Sequence, residues 1–140
     1  METGSNTKNS GWLAIVYLLG FVLAIAIPAA ILVWILPAYE NTIVITAIFL
    51  ILAIPSLYIG LSWHNPRWTP ETRSCTKFIL IIFSLGDTPF DLYKVISSGF
   101  NWRLFDWHHL VASVCFFSSM YVPFLIGRVI SRRKTSSEAP

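Results

Sequence analysis

The stretch Phe78-Ile-Leu-Ile-Ile-Phe-Ser-Leu-Gly-Asp-Thr-Pro-Phe-Asp-Leu-Tyr-Lys-Val-Ile-Ser-Ser-Gly-Phe100 decides how this chain is built. Its clean apolar run, Phe78 to Leu85, is too short to cross a hydrocarbon layer of about 30 Å, which takes about 20 residues. The continuation carries Asp87, Asp91 and Lys94. Within it Ser84, Asp87, Asp91, Lys94, Ser98 and Asn101 recur at alternating steps of three and four. On a continuous helix of about 3.6 residues per turn that register is one polar face. Phe83, Phe90, Leu92 and Ile96 fall on the opposite side.

The rest of the chain sets the solvent. Of 140 residues, 55% are apolar and only 12% charged, against about 25% charged in an ordinary soluble domain. The mean hydropathy is +0.65. These values exclude a secreted disulfide scaffold, a disordered tail and a nucleic-acid module, because the net charge of +3 sits in short flanks without a basic stripe. The apolar residues gather in blocks, which is the pattern of a multi-pass membrane protein. The expected fold is therefore all-α: four transmembrane helices in an antiparallel bundle, at about 12–36, 43–63, 77–100 and 107–131, within a membrane domain 11–131. A polar tail 1–10 precedes it and a basic, polar tail 132–140 follows. The connection Pro37 to Thr42 is short enough to turn the first two helices into a hairpin. The apolar run after Ala24-Ile25-Ala26 continues to Leu36, so the first helix is expected to stay as an anchor rather than be cleaved.

Orientation follows from Lys and Arg. If residues 78–100 cross, then Lys8, Arg67, Arg73, Lys77, Arg128, Arg132, Arg133 and Lys134, 8 of the 10 basic residues, share one face. The bias of such residues toward the cytoplasm then places both termini there. Trp12, Trp34, Trp63, Trp68, Trp102 and Trp107 all fall at or just beyond expected helix ends, where amphipathic rings favour the headgroup layer. Cys75 and Cys115 belong to different depths and are not expected to pair.

Each expected helix has one internal proline: Pro28, Pro55, Pro89 and Pro123. Small residues four apart, Gly20 with Ala24 and Ala26 with Ala30, offer two faces for close helix approach.

An Asp at mid-bilayer costs about 2.5–3.5 kcal/mol on insertion scales, so Asp87 and Asp91 must face protein, water or a counter-ion. Lys94 is three residues from Asp91 and can pair with it. Asp87 has no basic residue so near in sequence, so it is expected to be protonated, to face a crevice, or to meet another helix. Arg103, Asp106, His108 and His109 lie where the third and fourth helices meet and form a possible rim to a pocket.

Several chemistries fail on spacing. His64 lies at the opposite end of the bundle from His108 and His109, so the three cannot share a haem within one chain. Adjacent histidines on a helix point about 100° apart, which disfavours a metal between His108 and His109. Asp87 and Asp91 stand at i and i+4, a spacing at which two acids can hold Mg²⁺, but no second acidic motif accompanies them. Phosphate loops, nucleophile elbows, zinc patterns and paired-Cys motifs are all lacking. No cofactor or metal is expected, and enzyme activity is left undecided. The expected role is an accessory, assembly or scaffold subunit of a membrane complex, in contact with the lipid bilayer and with other membrane proteins or copies of itself. The alternatives are a proton-coupled or small-solute carrier working through Asp87 and Asp91, or a small membrane enzyme using the same cluster.

Overall fold

The computed structural model describes residues 6–35 and 41–138, and all regular structure among them is helical. Helix α1 spans Asn6–Ile35, α2 Thr42–Leu61, α3 Pro70–Leu85, α4 Thr88–Ser97 and α5 Trp107–Glu138. A short 3-10 turn, Trp102–Leu104, lies between α4 and α5. The stretches Gly11–Ile35, Ile43–Leu61 and Trp107–Ser136 are long and apolar enough to cross a membrane. Helices α3, with 16 residues, and α4, with 10, are not.

The core forms where α1, α2 and α5 meet. Ile25, Ala29 and Leu32 recur at helical spacing along α1, as do Ile45, Phe49 and Ala53 along α2, and both stripes bury against Cys115 of α5. Phe49 meets Phe116 edge-on at 5.2 Å between ring centres. The outward faces are as apolar as the core, with Ile15, Leu18, Leu19, Ile51, Ile54, Phe78, Phe83 and Val114 all exposed. Such a surface suits hydrocarbon and not water.

Helices α2 and α5 approach most closely at Gly60 and Gly127. A Cβ added to Gly60 would strike the Phe124 carbonyl and lie 3.0 Å from the Arg128 amide nitrogen. One added to Gly127 would strike the Leu57 carbonyl and lie 2.7 Å from the Leu61 nitrogen. The small-residue faces read from sequence are on α1 instead. There Ala24 is buried and Gly20 faces Ile126 of α5, whereas Ala26 and Ala30 point outward.

Several expectations are corrected. The single helix at 77–100 is two helices, α3 and α4, broken at Gly86-Asp87. Gly86 has φ of 52°, a left-handed conformation that glycine adopts without steric cost. Helix α3 also starts at Pro70 rather than 77, because Thr69 caps it by accepting from the Thr72 amide at 3.3 Å and Pro70 suits the first helical position. Pro89 is consequently not internal to a helix. It sits in the first turn of α4, whereas Pro28, Pro55 and Pro123 lie within α1, α2 and α5. The C-terminal segment is helical through Glu138, continuing α5 beyond residue 131, with Thr135 and Ser136 hydroxyls donating back to the Ser131 and Arg132 carbonyls. At the other end α1 already begins at Asn6. The tight connection at 37–40 lies outside the described residues, as do residues 1–5, 139 and 140. Asn41 then caps α2 by accepting from the Ile43 and Val44 amides.

Candidate functional site

The break at Gly86 is stitched to α5. In a continuous helix the Leu85 carbonyl would accept from the amide four residues on, but that residue is Pro89, which has no N–H. Ser113 of α5 supplies the missing donor, its Oγ lying 2.6 Å from the Leu85 oxygen. Thr88 Oγ1 lies 2.6 Å from Ser113 Oγ. Because the Ser113 proton goes to Leu85, Thr88 is the donor in this pair. These two hydroxyls stabilise the break by satisfying the carbonyl that Pro89 leaves without its helical donor.

One turn further, Asp91 is buried with 2% of its surface exposed. Both carboxylate oxygens are satisfied. Lys94 Nζ donates to Oδ1 at 3.2 Å and His109 Nδ1 donates to Oδ2 at 2.5 Å. The Lys94 and His109 side chains are themselves 61% and 41% exposed, so they wrap the carboxylate while reaching outward. His109 Nε2 lies 3.9 Å from Asp106 Oδ2. Asp106 accepts from the His108 backbone amide and from His108 Nδ1, both at 2.9 Å to Oδ1. These donors, the backbone amide foremost, hold the Asp106 carboxyl below the usual carboxylate range. The arrangement can share a proton between a carboxylate and an imidazole at a helix end.

The structure thus brings together Asp91, Lys94, Asp106, His108 and His109 and separates the other expected site residues from them. Ser84 is buried but donates to its own helix at Ile81, and Ser98 does the same at Val95. Asp87 precedes α4 without making a side-chain capping bond and is exposed. Arg103 is exposed and forms no ion pair among the described residues. The expected continuous polar face therefore does not exist, because the Gly86 break resets the helical phase between Ser84 and Asp91. Among the described residues no three His, Cys, Asp or Glu side chains converge as a metal site.

A second cluster, at the other end of α5, is not legible from spacing. Trp63, only 4% exposed, packs edge-on against Phe124 at 5.0 Å. Around its ring stand Arg73 and Lys77 from α3 and Arg128 from α5, at 5.9, 5.6 and 6.0 Å from the ring centre. Trp63 is thus a buried platform for cations, whereas Trp12, Trp34, Trp102 and Trp107 are exposed. Beside it His64 Nδ1 lies 3.3 Å from Ser131 Oγ. Partial burial, then the charges of Arg128, Arg73 and Arg132, lower the His64 pKa. The sign follows directly: the folded chain favours neutral His64, so its contribution is complete above the usual imidazole value of about 6.5 and is lost as pH falls through the lowered folded value. As pH is taken from about 7.5 to 5.5, the melting temperature of detergent-solubilised His64→Gln should rise progressively relative to that of the native chain, because the variant has no imidazole to keep neutral. A profile unchanged by the substitution would assign the effect elsewhere.

Comparison of the chain with protein-family models, with curated proteins and with solved structures gives no match.

Proposed function

We propose that this protein is an accessory, assembly or scaffold subunit of a membrane complex, with four crossings and both termini cytoplasmic. Support for the fourth crossing comes from the course of α3 beside α5. Lys77 shares the Trp63 ring with Arg128, Leu85 accepts from Ser113, and Asp91 accepts from His109. Residues 77–91 therefore accompany α5 from its basic end back to its start. Helix α4 also packs on the 3-10 turn.

The observation that carries the scaffold reading is Asp87. It is exposed, makes no side-chain capping bond and has no ion-pair partner among the described residues, while Phe83 and Phe90 beside it are 71% and 67% exposed. A carboxylate amid lipid-facing aromatics is unfavourable. A basic or hydroxyl group on a neighbouring helix, in a partner or a second copy, relieves it. The hydrogen bond between buried Asp91 and His109 favours the second reading, a proton-coupled carrier.

Asp87→Asn separates the two. Because the Asp87 side chain makes no capping bond and no ion pair among the described residues, the variant should fold normally. The scaffold reading expects recovery of co-purifying membrane proteins in mild detergent to fall about tenfold, the effect of losing one charge-assisted contact of about 1.4 kcal/mol. Proton-coupled flux in sealed vesicles should not change. Intact recovery with abolished flux would replace the scaffold with the carrier.

A further inference from the structure

Helices α3 and α5 enclose a groove of about 270 Å³, with Lys77 and Arg128 at one end and Leu80, Ile81, Phe117 and Met120 along its length. From Arg128 to Phe117 the groove follows α5 for about 16 Å at 1.5 Å per residue. Its character changes along that distance. The end near Trp63 gathers three cations, Arg73, Lys77 and Arg128, and none of them has a carboxylate partner among the described residues. The Trp63 ring attracts them through its quadrupole but cancels none of their charge. The Arg73 Nε atom is buried without a hydrogen-bond partner, an unmet donor in the same cluster. Away from that end the lining is aliphatic and aromatic.

A ligand matching both parts needs a compact anion joined to an apolar chain, with the anion at headgroup depth and the chain running toward mid-bilayer. We propose that this groove binds one anionic phospholipid, its phosphate held by Arg73, Lys77 and Arg128 and one acyl chain lying between α3 and α5. Charge decides against a neutral helix as occupant, because an apolar segment would leave three cations and a buried donor uncompensated. The length of the apolar lining decides against a free phosphate, which would use only one end. The site is distinct from Asp87 and independent of the partner role argued for it; it rests only on the chain lying in a bilayer.

The test is electron spin resonance of the protein reconstituted in phosphatidylcholine vesicles containing a trace of chain-labelled phosphatidylglycerol or phosphatidylcholine. The motionally restricted fraction gives the relative association of the two lipids. A cation near a membrane surface is worth up to about fivefold for an anionic lipid, so with three of them the native protein should prefer phosphatidylglycerol by at least about fivefold. Lys77→Gln with Arg128→Gln should remove most of that preference, leaving only what Arg73 supplies. Ile81→Trp, which narrows the groove from an exposed position and keeps every cation, should also lower the preference several-fold. Arg132→Gln with Arg133→Gln, outside the cation cluster around Trp63, should leave it intact. Helicity by circular dichroism confirms that each variant is folded. Equal association of both lipids, a preference lost with the tail arginines, or one indifferent to Ile81→Trp would overturn the proposal. So would displacement of the labelled lipid by soluble glycerol phosphate, which would show an anion site without a lipid groove.

Discussion

Gly127→Leu should cost about 3 kcal/mol or more of folding free energy and abolish the close crossing of α2 and α5. The expectation rests on what the new side chain meets. Overpacking a core typically costs about 1–3 kcal/mol when flexible side chains can yield. At Gly127 the obstacles are the Leu57 carbonyl and the Leu61 amide, which are backbone and cannot rotate away. Gly60→Leu should be as severe, since its Cβ runs into the backbone at Phe124 and Arg128. The two substitutions together should cost much less than their sum, because either one alone already separates the helices. Gly20→Leu provides the comparison. Its Cβ would meet only the tip of Ile126 at 3.4 Å, so the loss should stay within about 1 kcal/mol. Unfolding in mixed micelles of mild detergent and sodium dodecyl sulfate measures all four. A Gly127→Leu protein no less stable than Gly20→Leu would mean that the helices do not touch where the two glycines meet.

That contact shows what a linear reading of this chain reaches. Length, hydropathy and the absence of charge identify α1, α2 and α5 because each is governed by its own residues: a long uncharged run has few alternatives in lipid. The glycine crossing carries the small-residue spacing too, with Ser56 four residues before Gly60 and Ser131 four after Gly127, but only the glycine and alanine pairs of α1 stand out as faces in the linear reading. Gly20 and Ala24 have that spacing, with Gly20 facing Ile126 of α5 and Ala24 buried. The third segment failed for another reason. Hydropathy places its start at 77, just before the apolar run that begins at Phe78, while the helix obeys the Thr69-Pro70-Glu71 capping sequence seven residues earlier. Its break at Gly86 was also written locally, as Gly-Asp-Thr-Pro, yet the regular spacing of polar residues across it suggested continuity. Asp91, Lys94, Asp106, His108 and His109 come together because all lie on α4 or at the start of α5 and need no phase relation to Ser84, whereas Arg103, expected beside them, stays exposed. The Trp63 cluster needs α3 folded back on α5, and nothing in the local sequence of any one member announces it.

The grouping around Asp91 leads to an asymmetry between its two ends. His109→Leu should destabilise the protein by about 3 kcal/mol, the lower end of the range for breaking a buried pair, because Lys94 still reaches one oxygen. What remains is a carboxylate only 3% exposed with its second oxygen unmatched. Asp91→Leu should cost only about 1 kcal/mol, since His109 is 41% exposed and Lys94 61% exposed, and both can turn toward the headgroups without the acid. The doubly substituted protein should resemble Asp91→Leu, recovering most of what His109→Leu loses, as expected when both partners of a buried pair become apolar. The penalty therefore resides in the stranded carboxylate and not in the lost bond. If His109→Leu proves as mild as Asp91→Leu, water reaches Asp91, and α4 must sit outside the apolar layer rather than at its edge.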